Sequence, residues 1–199
     1  MVVILAVLAA ILFPVVARHE RPHRSSCMSN LKQIGLAFMQ YTQDNSEKLA
    51  PTVALDVDSS VAPFDHPYGW ADAIQPYCKS VQLLQCPSEA TTEPGADAAQ
   101  NGFTDYWMNA NLSRAEMKNV WNAAQTVLCG EGNDGRENTS ARYNHNALPR
   151  EWRGDESSPA RRHLDTMNIL FTDGHVKALR ADHIVTGSPR DAFVTFALK

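Results

Sequence analysis

Residues 163–179 read HLDTMNILFTDGHVKAL. Two apolar-rich runs, 167–172 and 175–179, flank Asp173-Gly174. A two-residue Asp-Gly loop between such runs is a strong hairpin signal, because a type I′ turn needs positive φ at both central residues. Turn chemistry therefore accounts for Asp173 and Gly174 without a further role. His163, Asp173 and His175 also carry imidazole and carboxylate groups, which are ordinary zinc ligands. A turn aspartate beside a hydrogen-bonded histidine is the alternative, and turn preference favours it.

Upstream of the hairpin, Trp70–Tyr77 (WADAIQPY) reads as a short helix ending near Pro76, and Ser80–Cys86 (SVQLLQC) as a strand closed by Pro87. Residues 88–102 are poor in large apolar groups and read as a loop. Thr104–Asn109 reads as a strand, Ala115–Ala124 as a short helix, and Thr126–Gly130 as a buried strand. The 199 residues, 44% hydrophobic and 20% charged, are enough for one compact domain and an added element. A net charge of −4 supplies no positive field of the kind that drives phosphate-backbone contact, so no nucleic acid is expected as a partner.

The N-terminus has a different character. Residues 1–17, MVVILAVLAAILFPVVA, carry no charge, and as a helix they would extend roughly 25 Å, at the lower limit for a membrane span. A signal peptide would need a basic region before the apolar run and a small-residue cleavage site after it, and neither is evident. Arg18, Arg21 and Arg24 follow instead, and the positive-inside rule alone would put that flank in the cytoplasm. Beyond them Met28, Leu31, Ile34, Phe38 and Tyr41 recur at spacings of three and four among polar residues. This is the pattern of an amphipathic helix. The expectation is one long rod from about residue 2 to residue 46, bent at Pro14.

The run VVILAVLAAILFPVVAR, followed by SSCMSNLKQIGLAFMQYTQD, resembles the N-terminal helix of bacterial type IV pilin-like proteins and type II secretion pseudopilins. Within them the chain is similar to the branch with a C-terminal His-x9-Asp-Gly signature, here His163 with Asp173 and Gly174. PYCKSVQLLQCPS and TDYWMNANL also look like that family's middle segments, so the resemblance covers most of the chain. The family's processing site, Gly followed by Phe-Thr-Leu-x-Glu, does not precede Phe13-Pro14 in this sequence. Prepilin peptidase is implied as a partner if the coding sequence starts upstream.

The resemblance implies an α+β, pilin-like fold: a long N-terminal helix, with a transmembrane half and an amphipathic half, packed on a small antiparallel sheet. The expected division is a transmembrane segment 1–17, its amphipathic continuation 18–46, and a globular head 47–199. Val2, Val3, Ile4, Leu5, Leu8, Ile11, Leu12, Phe13 and Pro14 would form the membrane and filament contact, and Met28, Leu31, Ile34 and Phe38 would anchor the head. The implied location is the bacterial inner membrane, crossed once, with the head in the periplasm or outside the cell. The implied partners are that membrane, copies of the chain and other pilin-like subunits.

In such a compartment disulfides persist. Cys27, Cys78, Cys86 and Cys129 allow three pairings, which the sequence does not choose among. Cys27–Cys86 is the candidate of interest because it would staple the helix to the sheet. Glu131, Asn133 and Asp134 in CGEGNDGREN offer clustered oxygens, and some pseudopilins carry a calcium loop, but the EF-hand spacing is missing. Glu131, Asp134 and Asp173 are the residues expected to contribute to any metal binding; no other cofactor is expected. The chain has no G-x-S-x-G, Walker, H-E-x-x-H or G-x-G-x-x-G motif, so no enzymatic chemistry is expected. The expected function is that of a structural subunit or minor subunit of a pilus-like filament or pseudopilus, anchored by its N-terminal helix. The alternative is a membrane-tethered extracytoplasmic module whose Trp70, Trp107, Trp121 and Trp152 bind glycan or peptide.

Overall fold

The computed structural model describes residues 24–53, 68–89, 97–133, 139–186 and 194–198. It is a mixed α/β structure with an N-terminal helix, α1 (24–44), and a five-stranded sheet. The strands are β1 (Tyr106–Asn109), β2 (Val127–Glu131), β3 (Asn144–His145), β4 (Met167–Phe171) and β5 (Val176–Leu179), in the order β3-β1-β2-β4-β5. All neighbours are antiparallel except β3, which runs parallel to β1. Two short helices, α2 (Trp70–Ile74) and α3 (Glu151–Gly154), complete the regular structure with several 3-10 turns.

The central strands are buried on both faces, and their alternation divides the core in two. Met167, Ile169 and Phe171 of β4 join Trp107, Val127, Trp152 and Phe196 on one face. Leu170 joins Leu31, Ile34 and Phe38 of α1 on the other, with Met108 and Leu128. Each of the large α1 side chains is fully buried there, contributing about 1.5–3 kcal/mol relative to exposure. Phe38 stacks on Trp70 at 5.6 Å between centroids, and the Trp70 indole N–H donates to the Tyr143 carbonyl at 2.7 Å. α1 comes close to the sheet at Gly35, where an added Cβ would sit 2.8 Å from Leu170 Cδ1. Met28 is only half-buried, so the anchoring face is narrower than the spacing predicts and is carried by Cys27, Leu31, Ile34 and Phe38.

The register of β2 shifts between Val127 and Cys129. Both Leu128 and Cys129 therefore lie on the helix side, as expected when a bulge breaks strict alternation. The shift also reverses the faces that follow: Gly130 backs onto the Trp107 ring, and the Glu131 carboxylate turns toward α1 and Asn168.

Several local expectations are corrected. Residues 80–86 form a 3-10 turn over Val81–Leu84 rather than a strand, because Ser80 caps it by accepting from the Gln82 N–H and only Leu84 is buried in it. The expected helix at 115–124 is reduced to a 3-10 turn, Met117–Asn119. There Asn122 competes for the backbone: its side chain accepts from the Ala124 N–H, and its carbonyl accepts from Thr126 N–H and hydroxyl.

The hairpin at β4–β5 forms, with Leu170 opposite Val176, but its turn is not type I′. Gly174 has φ +88° and Asp173 is not in the positive-φ region. The Gly174 N–H donates to the Phe171 carbonyl at 2.9 Å and the Phe171 N–H to the His175 carbonyl at 3.0 Å. This is the three-residue loop with a glycine bulge. It is held from outside by Thr172, whose hydroxyl donates to the Ala123 carbonyl at 2.9 Å.

The expected single-pass inner-membrane anchor is also corrected. Among the described residues, no helix is long and apolar enough to cross a membrane. α1 is one-sided: Lys32, Gln40 and Asp44 are exposed, and only one face is apolar and buried. The segment 1–17 on which the expectation rested, with Val2, Val3, Ile4, Leu5, Leu8, Ile11, Leu12, Phe13 and Pro14, lies outside the described residues.

Candidate functional site

Beside the N-terminal part of α1 the packing changes from apolar to polar. Cys27 of α1 forms a disulfide with Cys86, with Cα atoms 5.3 Å apart. The bond ties the helix to the segment that follows the Val81–Leu84 turn. Asn30 adds a second tie by donating to the Gln85 carbonyl at 2.9 Å. The Cys86 N–H is held by the Asp105 carboxylate at 2.7 Å, and burial pushes the Asp105 carboxyl up from the ordinary aspartate range.

Beneath the disulfide lie two ionisable side chains with no exposed surface, Glu131 of β2 and His163 of the turn before β4. His163 Nε2 is 3.2 Å from Glu131 Oε1. Glu131 Oε1 accepts from the Asn168 backbone N–H at 2.6 Å, and Oε2 from the Asn168 side-chain amide at 3.0 Å. That amide also donates to the Arg24 carbonyl at 3.3 Å, linking the carboxylate to the start of α1. Tyr106, opposite Glu131 in the ladder, has its phenol held well above its ordinary range, first by burial and then by the Glu131 carboxylate. At the rim Arg162 forms an ion pair with Glu89 and donates to the Asn133 carbonyl at 2.7 Å.

One donor atom from each of Cys27, Cys86, Glu131 and His163 falls within 4.8 Å of the other three, and all four residues are buried. These residues form the polar centre of the described structure. The remaining thiols, Cys78 and Cys129, are buried and unbridged; burial pushes Cys78 up to about 11 and Cys129 well above its ordinary value.

This geometry separates the residues named above for metal binding. His163 does not meet Asp173 and His175, because β4 separates them. Asp173 sits instead at the exposed hairpin tip, its carboxylate 2.6 Å from His175 Nδ1. Glu131 faces the interior rather than the 131–134 loop, and Asp134 lies outside the described residues. Trp70, Trp107 and Trp152 are fully buried, which leaves Trp121, at 65% exposure, unable to form an aromatic platform with them. Compared with known proteins, the chain matches no family model, no curated protein and no solved structure.

Proposed function

We propose that the chain is a subunit or minor subunit of a type IV pilus-like filament or type II secretion pseudopilus, with α1 as the stem and the sheet as the head. The observation that carries this reading is the fixing of one amphipathic helix along one sheet face. Leu31, Ile34 and Phe38 bury against the sheet, and Cys27–Cys86 bonds the helix covalently to the head. A subunit that passes load from a helical stem into a head needs that joint to be rigid. Away from the sheet α1 exposes Leu36, at 59%, which suits contact with a neighbouring stem. The burial of three of the four tryptophans removes the aromatic surface on which a glycan- or peptide-binding role would rest.

The reading is tested by placing a photo-crosslinking amino acid at Leu8 and, separately, at Leu36 in the full chain in producing cells. A filament subunit gives a ladder of self-crosslinked species from either position. A chain that stays monomeric at both positions, while folded and abundant, contradicts the proposal.

A further inference from the structure

The disulfide Cys27–Cys86 lies against a buried carboxylate and a buried imidazole, an arrangement that stapling the helix does not require. Among the described residues no Lys or Arg pairs with Glu131, whose two oxygens are instead oriented by Asn168. His163 is fully buried, and neither ring nitrogen has an aligned hydrogen-bond partner, although Nε2 points to within 3.2 Å of Glu131 Oε1. Buried charges in proteins are paired or coordinate metals, and a buried ring nitrogen left unmatched costs about 1–3 kcal/mol. The four groups come from four separate segments: α1, the residue before Pro87, β2 and the turn preceding β4. Local sequence proximity therefore does not account for their convergence.

We propose that Cys27, Cys86, Glu131 and His163 form a redox-gated site for one divalent zinc-class ion, open when the disulfide is reduced and closed when it is formed. Two thiolates, one imidazole and one carboxylate are a complete tetrahedral donor set for zinc. Metal–ligand distances of about 2.0–2.3 Å would put neighbouring donor atoms roughly 3.3–3.8 Å apart. The four atoms already fall within 4.8 Å of one another, so small side-chain movements suffice. Asn168 supplies the outer hydrogen bonds that fix a ligating carboxylate.

A dithiol reductant transfers two electrons and two protons to the Cys27–Cys86 bond, leaving two thiols and the reductant's own disulfide. Zinc then binds as the two thiols release their protons to solvent, with His163 neutral and Glu131 ionised. Three ligand charges against two on the metal leave the site with one net negative charge. In the reverse direction a disulfide oxidant reforms the Cys27–Cys86 bond, taking up the two electrons as its own thiolates, and the metal leaves.

The test uses the full chain, reduced anaerobically with a dithiol, freed of it by gel filtration, and titrated with Co2+ as a spectroscopic probe. The expected result is one Co2+ per chain, with a thiolate-to-cobalt charge-transfer band and the intense visible bands of a tetrahedral site. Zn2+ should bleach both, and the oxidised chain should show neither. Glu131→Gln and His163→Ala should each weaken Co2+ binding at least about tenfold, whereas Cys78→Ala should leave the spectrum unchanged. A reduced wild-type chain that keeps its circular dichroism yet takes up no cobalt overturns the proposal. So does a reduced chain that unfolds and is not restored by zinc, or a spectrum lost with Cys78→Ala while the fold is kept.

Discussion

His163 Nε2 lies 3.2 Å from Glu131 Oε1, and neither side chain reaches solvent. The two residues close the polar centre beneath α1, so removing one leaves the other buried without its partner. Glu131 also accepts from the Asn168 N–H and side-chain amide, and leaving a buried polar group unmatched costs about 1–3 kcal/mol. In the oxidised, metal-free chain, Glu131→Leu alone should lower unfolding stability by about 3 kcal/mol. The double variant Glu131→Leu/His163→Phe should recover only the part owed to His163, because Asn168 still lacks its acceptor. Urea unfolding of the four chains of the cycle checks this, and strictly additive losses would contradict the coupling.

The Cys27–Cys86 bond closes a loop with a sequence separation of 59. A cross-link of that span stabilises by about 4 kcal/mol in the chain-entropy account, through the unfolded state. Cys27→Ala in metal-free buffer should lower stability by up to that amount. Because the bond acts through the unfolded state, amide exchange should rise in the sheet as well as in α1. A rise confined to the N-terminal turns of α1, with the sheet unchanged, would show a native-state staple instead.

Asp105 supplies a pH dependence with a definite sign. Its folded-state carboxyl is raised, chiefly by burial, and partly restored by the Cys86 N–H, Asn133 and Arg162. A raised carboxyl binds its proton more tightly folded than unfolded. Its contribution to stability is thus fullest below the unfolded aspartate value of about 3.9 and is lost as pH rises through the folded value. Wild type should therefore lose stability relative to Asp105→Asn as pH rises from about 3 into the neutral range. Denaturant unfolding of both chains across that range measures the slope, and a wild-type advantage growing with pH would refute it.

The hairpin tip was legible in sequence; its turn type was not. Asp173-Gly174 correctly marks the bend, but Thr172 is drawn into the loop by its bond to Ala123, outside the local window. The apolar run 167–172 likewise marks β4, but its division into a Met167, Ile169 and Phe171 face and a Leu170 face is read only from the packing. Nothing local announces the bulge in β2, and without it Glu131 would lie on the opposite face of the sheet from α1. For that reason Glu131 reads in sequence as part of a solvated acidic loop, and its partnership with His163 is hidden. Cys27–Cys86 belongs to one of the three complete pairings that sequence leaves open; packing of α1 decides it, while Cys78 and Cys129 stay unbridged. The helix at 115–124 failed because Asn122 serves the backbone of a turn, a tertiary outcome that propensity does not register.

Gly174 gives a sharper test of the turn. At φ +88° a side chain is strained, and an added Cβ would lie 2.4 Å from Met39 Cε on α1. Gly174→Ala should destabilise by about 1–2 kcal/mol from the backbone alone. Because Met39 is flexible and exposed at 37%, Met39→Ala should not rescue it. Thermal unfolding of the single and double variants separates the two contributions, and full rescue would show that contact rather than backbone strain sets the cost.

The filament assignment is tested most directly by imaging. Surface fibres sheared from producing cells are labelled with antibody raised against the folded head and viewed by electron microscopy, with a gene-deletion strain as control. A filament subunit gives label along or at the ends of fibres, absent in the deletion strain and lost when Cys27 and Cys86 are both replaced. Label confined to cell bodies, with fibres unchanged in the deletion strain, would contradict it.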